Sequence, residues 1–173
     1  GRLLGLASSG TIAWTMVGAP TKGWADSVGV ADVAELWDAV ATAMRLDEAD
    51  PVAAWRDHAA KLRVRADLLN RRGFDRVRYR GPGTDLTLGL PAGARWQGGA
   101  TTSVDGVEFV PNMPTEEVYV SPDWRRAEGS VRTSAPFFLA SMGALVEDLS
   151  LEISDGTITG ASAARGEEAV REQ

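Results

Sequence analysis

The spacing of hydrophobic residues changes from a helical to an alternating pattern near Gly73. Before this glycine, two segments carry apolar residues at intervals of three and four, which is typical of helices packed on one side. The first covers residues 30–45, and the second begins at Pro51, directly after the capping residue Asp50. A short connection predicts that the two helices are antiparallel neighbours. The buried stripe of the second helix is predicted to consist of Trp55, Ala59, Leu62, Ala66 and Leu69.

An apolar strand is predicted ahead of these helices. Ile12, Trp14 and Met16 alternate with residues that are themselves mostly apolar. A strand that is hydrophobic on both faces is expected to be buried between two neighbours. Residues 22–26, which follow the strand, are predicted to form a loop.

Beyond Gly73, apolar and polar residues alternate, as they do in strands with one buried face. Residues 76–80 and the strand after Gly81-Pro82-Gly83 predict a hairpin. Two further turn dipeptides, Asp105-Gly106 and Asp155-Gly156, indicate hairpins among the strands that follow. Those strands are predicted near residues 95–97, 100–104, 107–110, 117–121, 129–133, 145–154 and 157–163, and the first turns of a helix near residues 166–173.

The fold class predicted from this order is α+β. An N-terminal strand and an antiparallel helix pair are followed by a mainly antiparallel, barrel-like or sandwich sheet. We expect two domains: residues 1–74 form the end of an α/β domain, and residues 75–173 form a β-rich domain that ends in a truncated helix. At 173 residues, the chain has the length of one domain, or of one and a half, and is long enough to bury a substantial core.

The composition restricts the chemistry that this chain can carry alone. It contains one histidine and no cysteine, which excludes a zinc finger, a redox cysteine pair and an all-histidine zinc site. Absence of cysteine is consistent with the cytoplasm, the predicted location. The sequence has no apolar run of the length needed to span a membrane, so no membrane partner is predicted.

Charge is distributed unevenly along the chain. The net charge is −6, but the segment from Arg56 to Arg80 holds nine basic and three acidic residues. Such a basic segment could bind nucleic acid. The favoured interpretation is a solvated helix face and the outer face of a strand, so nucleic acid is not predicted as a partner.

Two adjacent carboxylates, Glu116 and Glu117, follow the rigid prolines Pro111 and Pro114. If a strand starts at Glu117, its side chain shares a face with Tyr119, and Glu116 points to the other face. A carboxylate held at a strand start suits a metal ligand or a general base. Spacing alone favours the simpler alternative, which is a pair of solvated glutamates.

Two other candidates have structural explanations. Gly81-Pro82-Gly83 lacks the spacing of a phosphate-binding loop, so a hairpin turn is favoured. His58 lies at the flank of the apolar helix stripe without a metal-binding partner four residues away, which favours a packed histidine over a ligand.

Several ordered segments nevertheless resemble a known family. They include Ala19-Pro20-Thr21, Asp50-Pro51-Val52-Ala53-Ala54-Trp55, Tyr79-Arg80-Gly81-Pro82-Gly83-Thr84-Asp85-Leu86, Val110-Pro111-Asn112-Met113-Pro114-Thr115-Glu116-Glu117-Val118, and Ala164-Arg165-Gly166-Glu167-Glu168. Together they resemble the aminopeptidase T and aminopeptidase S (PepS) family of thermophilic metallopeptidases, over essentially the whole chain.

The resemblance implies a cytoplasmic, homodimeric aminopeptidase that removes N-terminal residues from peptides with two divalent metal ions (zinc, cobalt or magnesium). It implies that Glu116 or Glu117 is a metal ligand, with Glu117 favoured. The family's remaining ligands would follow Gln173, so the chain is expected to be an internal fragment that is inactive alone, and its catalytic residues are not assigned. The alternative is a stand-alone binding module with a basic helix surface.

Overall fold

The computed structural model describes residues 5–7 and 9–172. Contacts divide the chain into two units, Gly1–Arg72 with Trp96–Tyr119, and Gly73–Arg95 with Val120–Gln173. The chain first passes from the first unit to the second after Arg72, close to the predicted boundary between residues 74 and 75. The segment Trp96–Tyr119 packs with the N-terminal helices, and the assignment of residues 1–74 to the end of an α/β domain stays a prediction.

The fold is α+β, as predicted, with short helices, one long helix and antiparallel sheets. The helices are α1 (Lys22–Val28), α2 (Val33–Ala43), α3 (Pro51–Arg72) and α4 (Glu167–Arg171). The strands are β1 (Met16–Val17), β2 (Arg76–Gly81), β3 (Thr84–Gly89), β4 (Gln97–Gly98), β5 (Thr101–Thr102), β6 (Glu108–Phe109), β7 (Asn112–Met113), β8 (Val118–Tyr119), β9 (Asp123–Arg132), β10 (Phe137–Leu139), β11 (Ala144–Val146), β12 (Ser150–Ser154) and β13 (Thr157–Ser162).

The long helix α3 forms the core of the first unit. Its N-terminus is fixed by Asp50, whose Oδ1 accepts a hydrogen bond from the backbone N–H of Ala53. The predicted stripe is confirmed in large part, because Trp55, Ala59, Leu62 and Ala66 are all buried, whereas Leu69 is half-buried. The buried face packs on β4 and β8.

The loop predicted at residues 22–26 is wrong, because the helix α1 covers it. Thr21 Oγ1 accepts a hydrogen bond from the backbone N–H of Trp24 and caps the helix. Gly29 ends it with a left-handed φ of 74°. Helix signals at both ends therefore outweighed the glycine and aspartate that suggested a loop.

The N-terminal strand is shorter and more exposed than predicted. Only Met16 and Val17 are in strand conformation, and they pair in parallel with Asn112 and Met113 of β7. They are 62% and 51% exposed, so the predicted burial on both faces is wrong for this segment. Within the described residues, β1 and β7 form a two-stranded sheet, which leaves the apolar side chains uncovered.

The second unit is built on an antiparallel five-stranded sheet with the order β13-β12-β9-β3-β2. The predicted hairpins at Gly81-Pro82-Gly83 and Asp155-Gly156 join β2 to β3 and β12 to β13. Val146 is fully buried in this unit. The described sheet has free edges at β13 and β2, so it is open rather than a closed barrel.

Glycine permits the close packing of β9 on β3. Gly129 has a φ of 119°, and a Cβ placed on it would overlap the carbonyl oxygen of Asp85. A larger residue would force these two strands apart at Leu86, the residue that pairs with Gly129.

None of the helices in the described part of the chain is both long enough and apolar enough to cross a membrane.

Candidate functional site

The two adjacent glutamates lie just before β8, at the edge of a cleft within the first unit. β8 pairs antiparallel with β4, so Gly98 lies opposite Val118 and Gln97 opposite Tyr119. A Cβ on Gly98 would lie 2.7 Å from Cγ1 of Val118, so the glycine allows the two strands to approach closely. This pairing fixes the direction in which the chain leaves Glu117.

The cleft has a volume of about 470 Å³ and is lined by both polar and aromatic side chains. Glu117 and Tyr119 both line it, as their predicted shared strand face requires. The helix α3 contributes Arg63 and Asp67 to the lining, and Asn112 also lines the cleft. Glu117 therefore lies at a concave surface large enough for part of a peptide.

Glu116 and Glu117 differ in their partners. Oε1 of Glu116 accepts a hydrogen bond from Nη2 of Arg45 at 2.7 Å, and its Oε2 lies 3.2 Å from Nε2 of His58. Glu117 has no ion-pair or hydrogen-bond partner among the described residues and is exposed at the cleft. Glu116 is therefore the paired carboxylate, and Glu117 is the one that is free to bind a ligand.

His58 connects the helix α3 to the segment that carries the glutamates. Its Nε2 lies 2.8 Å from the carbonyl oxygen of Thr115, and its Nδ1 lies 3.1 Å from Nη2 of Arg45. An arginine nitrogen can only donate, so Nδ1 accepts and the ring proton lies on Nε2, which donates to Thr115. His58 is buried, as predicted for a packed histidine.

Arg45 is itself held by its neighbours. It lies two residues after α2 with a left-handed φ of 58°, and its guanidinium carbon is 5.5 Å from the centre of the Trp55 ring. Trp55 also contacts His58 edge-to-face, with ring centres 5.5 Å apart. The Trp55, His58 and Arg45 side chains form one packed cluster behind Glu116.

The donor chemistry of the cleft suits a hard or borderline divalent cation only in part. Glu117 offers an unpaired carboxylate, which such ions accept as a ligand. The described residues contain no group of three or more histidine, cysteine, aspartate or glutamate side chains that could hold a metal ion. Glu117 can therefore supply one ligand of a metal site but not a complete coordination shell.

The basic segment is divided between the two units, because Arg56 to Arg72 belong to the first unit and Arg76 to Arg80 to the second. Several of its bases are paired: Arg63 donates to Glu108 at 2.6 Å, and Arg78 donates two 2.7 Å hydrogen bonds to Asp85. The hydrogen bond from Arg78 lowers the pKa of Asp85 below its ordinary value. Neighbouring carboxylates therefore pair with part of the segment, and its interpretation as a solvated face stays a prediction.

Sequence reasoning missed two features of the site. Arg45 had no local signal, since its partner Glu116 lies 71 positions away. Asp67 lines the cleft without an ion-pair or hydrogen-bond partner in the described chain. Its position four residues after Arg63 on α3 could have placed both on one helix face.

Comparison with known proteins gives a consistent result. The chain is 43% identical to aminopeptidase T of Thermus aquaticus over 163 residues, and 38% identical to aminopeptidase PepS of Streptococcus thermophilus over 169 residues. These alignments cover 91% and 94% of this chain but 40% of each relative. The chain therefore spans about two fifths of the length of these relatives.

A solved structure agrees with the sequence comparison. Wild-type AmpT from Thermus thermophilus matches with a TM-score of 0.73 and 41% identity, over 81% of this chain and 33% of that one. The sequence profile of the family described as thermophilic metalloprotease (M29) matches residues 3–173. The chain belongs to the thermophilic metalloprotease (M29) family.

Proposed function

We propose that this chain supplies a glutamate ligand and part of the substrate cleft of a metal-dependent aminopeptidase. The observation that carries the proposal is the contrast between the two glutamates. Glu116 is paired with Arg45, whereas Glu117 faces the cleft without a partner in the described residues. The names of the relatives support the peptidase class.

In this proposal the enzyme holds two divalent ions, which are zinc, cobalt or magnesium, and Glu117 binds one of them. Bound metal would polarise the scissile carbonyl group and lower the pKa of a water molecule. Glu117 would contribute negative charge and a fixed position at the start of β8. Glu116, paired with Arg45, would stay outside the coordination shell.

The substrate in this proposal is the N-terminal end of a peptide. Asn112 and Gln97 line the cleft and can hydrogen-bond a peptide backbone, and Asp67 carries a charge opposite to that of a free amine. Trp96 adds an aromatic wall. This mixture fits a peptide end better than it fits nucleic acid or a lipid surface, neither of which is a proposed partner.

We further propose that the working enzyme is a cytoplasmic homodimer, as the family resemblance implies. Size-exclusion chromatography with light scattering on the protein from the complete reading frame measures this state. A mass of twice the subunit is expected, and a monomeric mass at micromolar concentration would refute the dimer.

The 173 residues alone are expected to lack peptidase activity. A single glutamate ligand binds a divalent ion weakly in water, because affinity depends on several ligands held together. The purified chain should release no leucine from a leucyl anilide in the presence of added zinc or cobalt. Metal-dependent release above the buffer rate would show that the chain holds a complete centre.

The ligand role of Glu117 is tested in the protein from the complete reading frame. Glu117→Gln keeps the size of the side chain but removes its charge, so metal content and turnover should both fall. Glu152→Gln, an exposed glutamate on β12, is the matched control and should change neither. Unchanged metal content in the Glu117→Gln protein, measured by mass spectrometry of the elements, would refute the proposal.

A further inference from the structure

The segment that carries the two glutamates is held at Thr115 and Glu116 by two side chains, Arg45 and His58, that do not line the cleft. We infer that Arg45 and His58 are positioning residues that bind Glu116 and Thr115 so that, of the two adjacent glutamates, Glu117 alone presents its carboxylate to the cleft. This inference rests on the proposed ligand role of Glu117. It extends that role by explaining how one of two adjacent carboxylates is selected.

The backbone just before Glu117 is fixed by His58. Nε2 of His58 donates to the carbonyl oxygen of Thr115 at 2.8 Å and lies 3.2 Å from Oε2 of Glu116. His58 is buried on the rigid helix α3. A buried donor on a long helix sets the position of the Thr115 peptide group more narrowly than a solvent-exposed contact could.

Arg45 removes Glu116 from competition for a cation. Its Nη2 donates to Oε1 of Glu116 at 2.7 Å, the length of a charge-assisted hydrogen bond. With Glu116 neutralised in this way, Glu117 is the member of the adjacent pair whose carboxylate is unpaired at the cleft. Without Arg45, both carboxylates would be free to bind a cation, and the ligand position would no longer be unique.

The same Arg45 nitrogen also reaches Nδ1 of His58 at 3.1 Å. This contact fixes the ring proton on Nε2, where the Thr115 carbonyl oxygen accepts it. The guanidinium carbon of Arg45 also lies 5.5 Å from the centre of the Trp55 ring, and this cation–π contact helps to hold the guanidinium beside Glu116. The contacts therefore form a continuous path from Trp55 to Thr115.

A purely structural role for this cluster predicts a different result from a positioning role. Structural loss lowers the temperature of unfolding without a specific change at a bound metal. Loss of positioning alters the geometry and affinity of a metal bound at Glu117, as is found when the groups that orient metal ligands are removed. The absorption spectrum of bound Co²⁺ separates the two, because its bands depend on coordination geometry.

The experiment uses the protein from the complete reading frame, stripped of metal and titrated with Co²⁺ alone. We expect Arg45→Ala and His58→Ala to weaken Co²⁺ binding by ~10–100-fold and to change the visible spectrum. His58→Gln, whose amide nitrogen can replace Nε2 as a donor, should recover part of the affinity. Arg132→Ala breaks a comparable 2.9 Å ion pair with Asp148 and serves as the control with no expected effect.

A double variant tests the path through Glu116. If Arg45 acts through Glu116, Arg45→Ala with Glu116→Gln should lose no more Co²⁺ affinity than Arg45→Ala alone. Additive losses would overturn this path. The Glu116 side chain is 64% exposed, so Glu116→Gln should fold even if Arg45→Ala does not. It then tests the contact between Arg45 and Glu116 by itself.

The outcomes also separate this inference from the proposed function. If Glu117→Gln loses Co²⁺ while Arg45→Ala and His58→Ala bind it with unchanged affinity and spectrum, the positioning role is wrong and the ligand role stands. If Glu117→Gln binds Co²⁺ as the unaltered protein does, the ligand role is wrong and the positioning role falls with it.

Discussion

The indole Nε1 of Trp55 donates a 2.6 Å hydrogen bond to the main-chain carbonyl oxygen of Met44. Met44 is the residue that ends α2, and Trp55 lies in the second turn of α3. The bond therefore satisfies a carbonyl group at a helix end, where no partner exists within the helix. It also fixes the residue just before Arg45, which reaches Glu116.

Replacing Trp55 with phenylalanine should destabilise the protein. Trp55→Phe retains an aromatic ring but leaves the Met44 carbonyl oxygen without its donor, at a cost of about 1–3 kcal/mol in the free energy of unfolding. Urea unfolding followed by circular dichroism measures this change. Trp37→Phe is the matched control, because Trp37 is 47% exposed and its replacement should cost less than about 0.5 kcal/mol. Equal midpoints for the two variants would contradict the role of the Trp55 hydrogen bond.

A second prediction concerns the cap of α1. Thr21→Ala removes the oxygen that accepts from the N–H of Trp24, so the free energy of unfolding should fall by about 1 kcal/mol. Thr21→Ser keeps the oxygen and should restore most of this stability. Thermal unfolding of the three proteins in the same buffer gives the comparison. A serine variant as unstable as the alanine variant would show that the methyl group, and not the cap, is responsible.

Local signals in the sequence were enough to predict much of the fold. Asp50 and Pro51 marked the start of α3 because capping acts within one helical turn. Gly83 and Gly156 indicated two hairpin turns. Each has a left-handed φ, a conformation that glycine favours by itself and that does not depend on distant residues. The strand order of the open five-stranded sheet could not be predicted in this way, because it depends on contacts between distant segments.

The site was predicted only where a short-range pattern described it. Alternation along β8 placed Glu117 and Tyr119 on one face, and both line the cleft. The pairing of Arg45 with Glu116 could not be predicted, because charges 71 positions apart have no periodic relationship. The histidine was correctly predicted to be packed, but its bond to Thr115 depends on how α3 meets that segment.

A third prediction tests the approach of the cleft wall to α3. Gly99 has a φ of 76°, and a Cβ placed on it would lie 2.5 Å from the carbonyl oxygen of Ala59. Gly99→Ala should therefore lower the free energy of unfolding by about 1–3 kcal/mol more than a substitution that only strains the backbone. Gly106→Ala supplies that comparison, because Gly106 has a φ of 81° with open space around its Cβ position.

Urea unfolding of the Gly99→Ala and Gly106→Ala proteins measures the difference. Both variants place alanine in a left-handed conformation, so their shared cost cancels. The remaining difference reports the contact with Ala59. If the two variants unfold at the same urea concentration, the backbone of the cleft wall does not approach α3 as closely as described.

The last prediction follows from the pairing of Asp85 with Arg78. The hydrogen bond from Arg78 lowers the pKa of Asp85 below its ordinary value of 3.8. A carboxyl group whose pKa is lower in the folded state stabilises the fold above its ordinary pKa, and this stabilisation is lost as the pH falls through the folded value. The fold should therefore lose stability below about pH 4 in part because Asp85 becomes protonated.

Asp85→Asn removes this titration, so its free energy of unfolding should change less between about pH 6 and about pH 2.5 than that of the unaltered protein. Arg78→Met provides an independent check, because without this guanidinium the pKa of Asp85 should rise towards its ordinary value and most of the same part of the pH dependence should disappear. Urea unfolding at the two pH values measures both variants. Nε of Arg80 also lies 3.5 Å from Oδ2 of Asp85, so Arg78→Met should remove less of the pH dependence than Asp85→Asn does. The double variant should match Asp85→Asn alone, whereas a further reduction relative to Asp85→Asn would mean that Arg78 also stabilises another titrating group in the folded state.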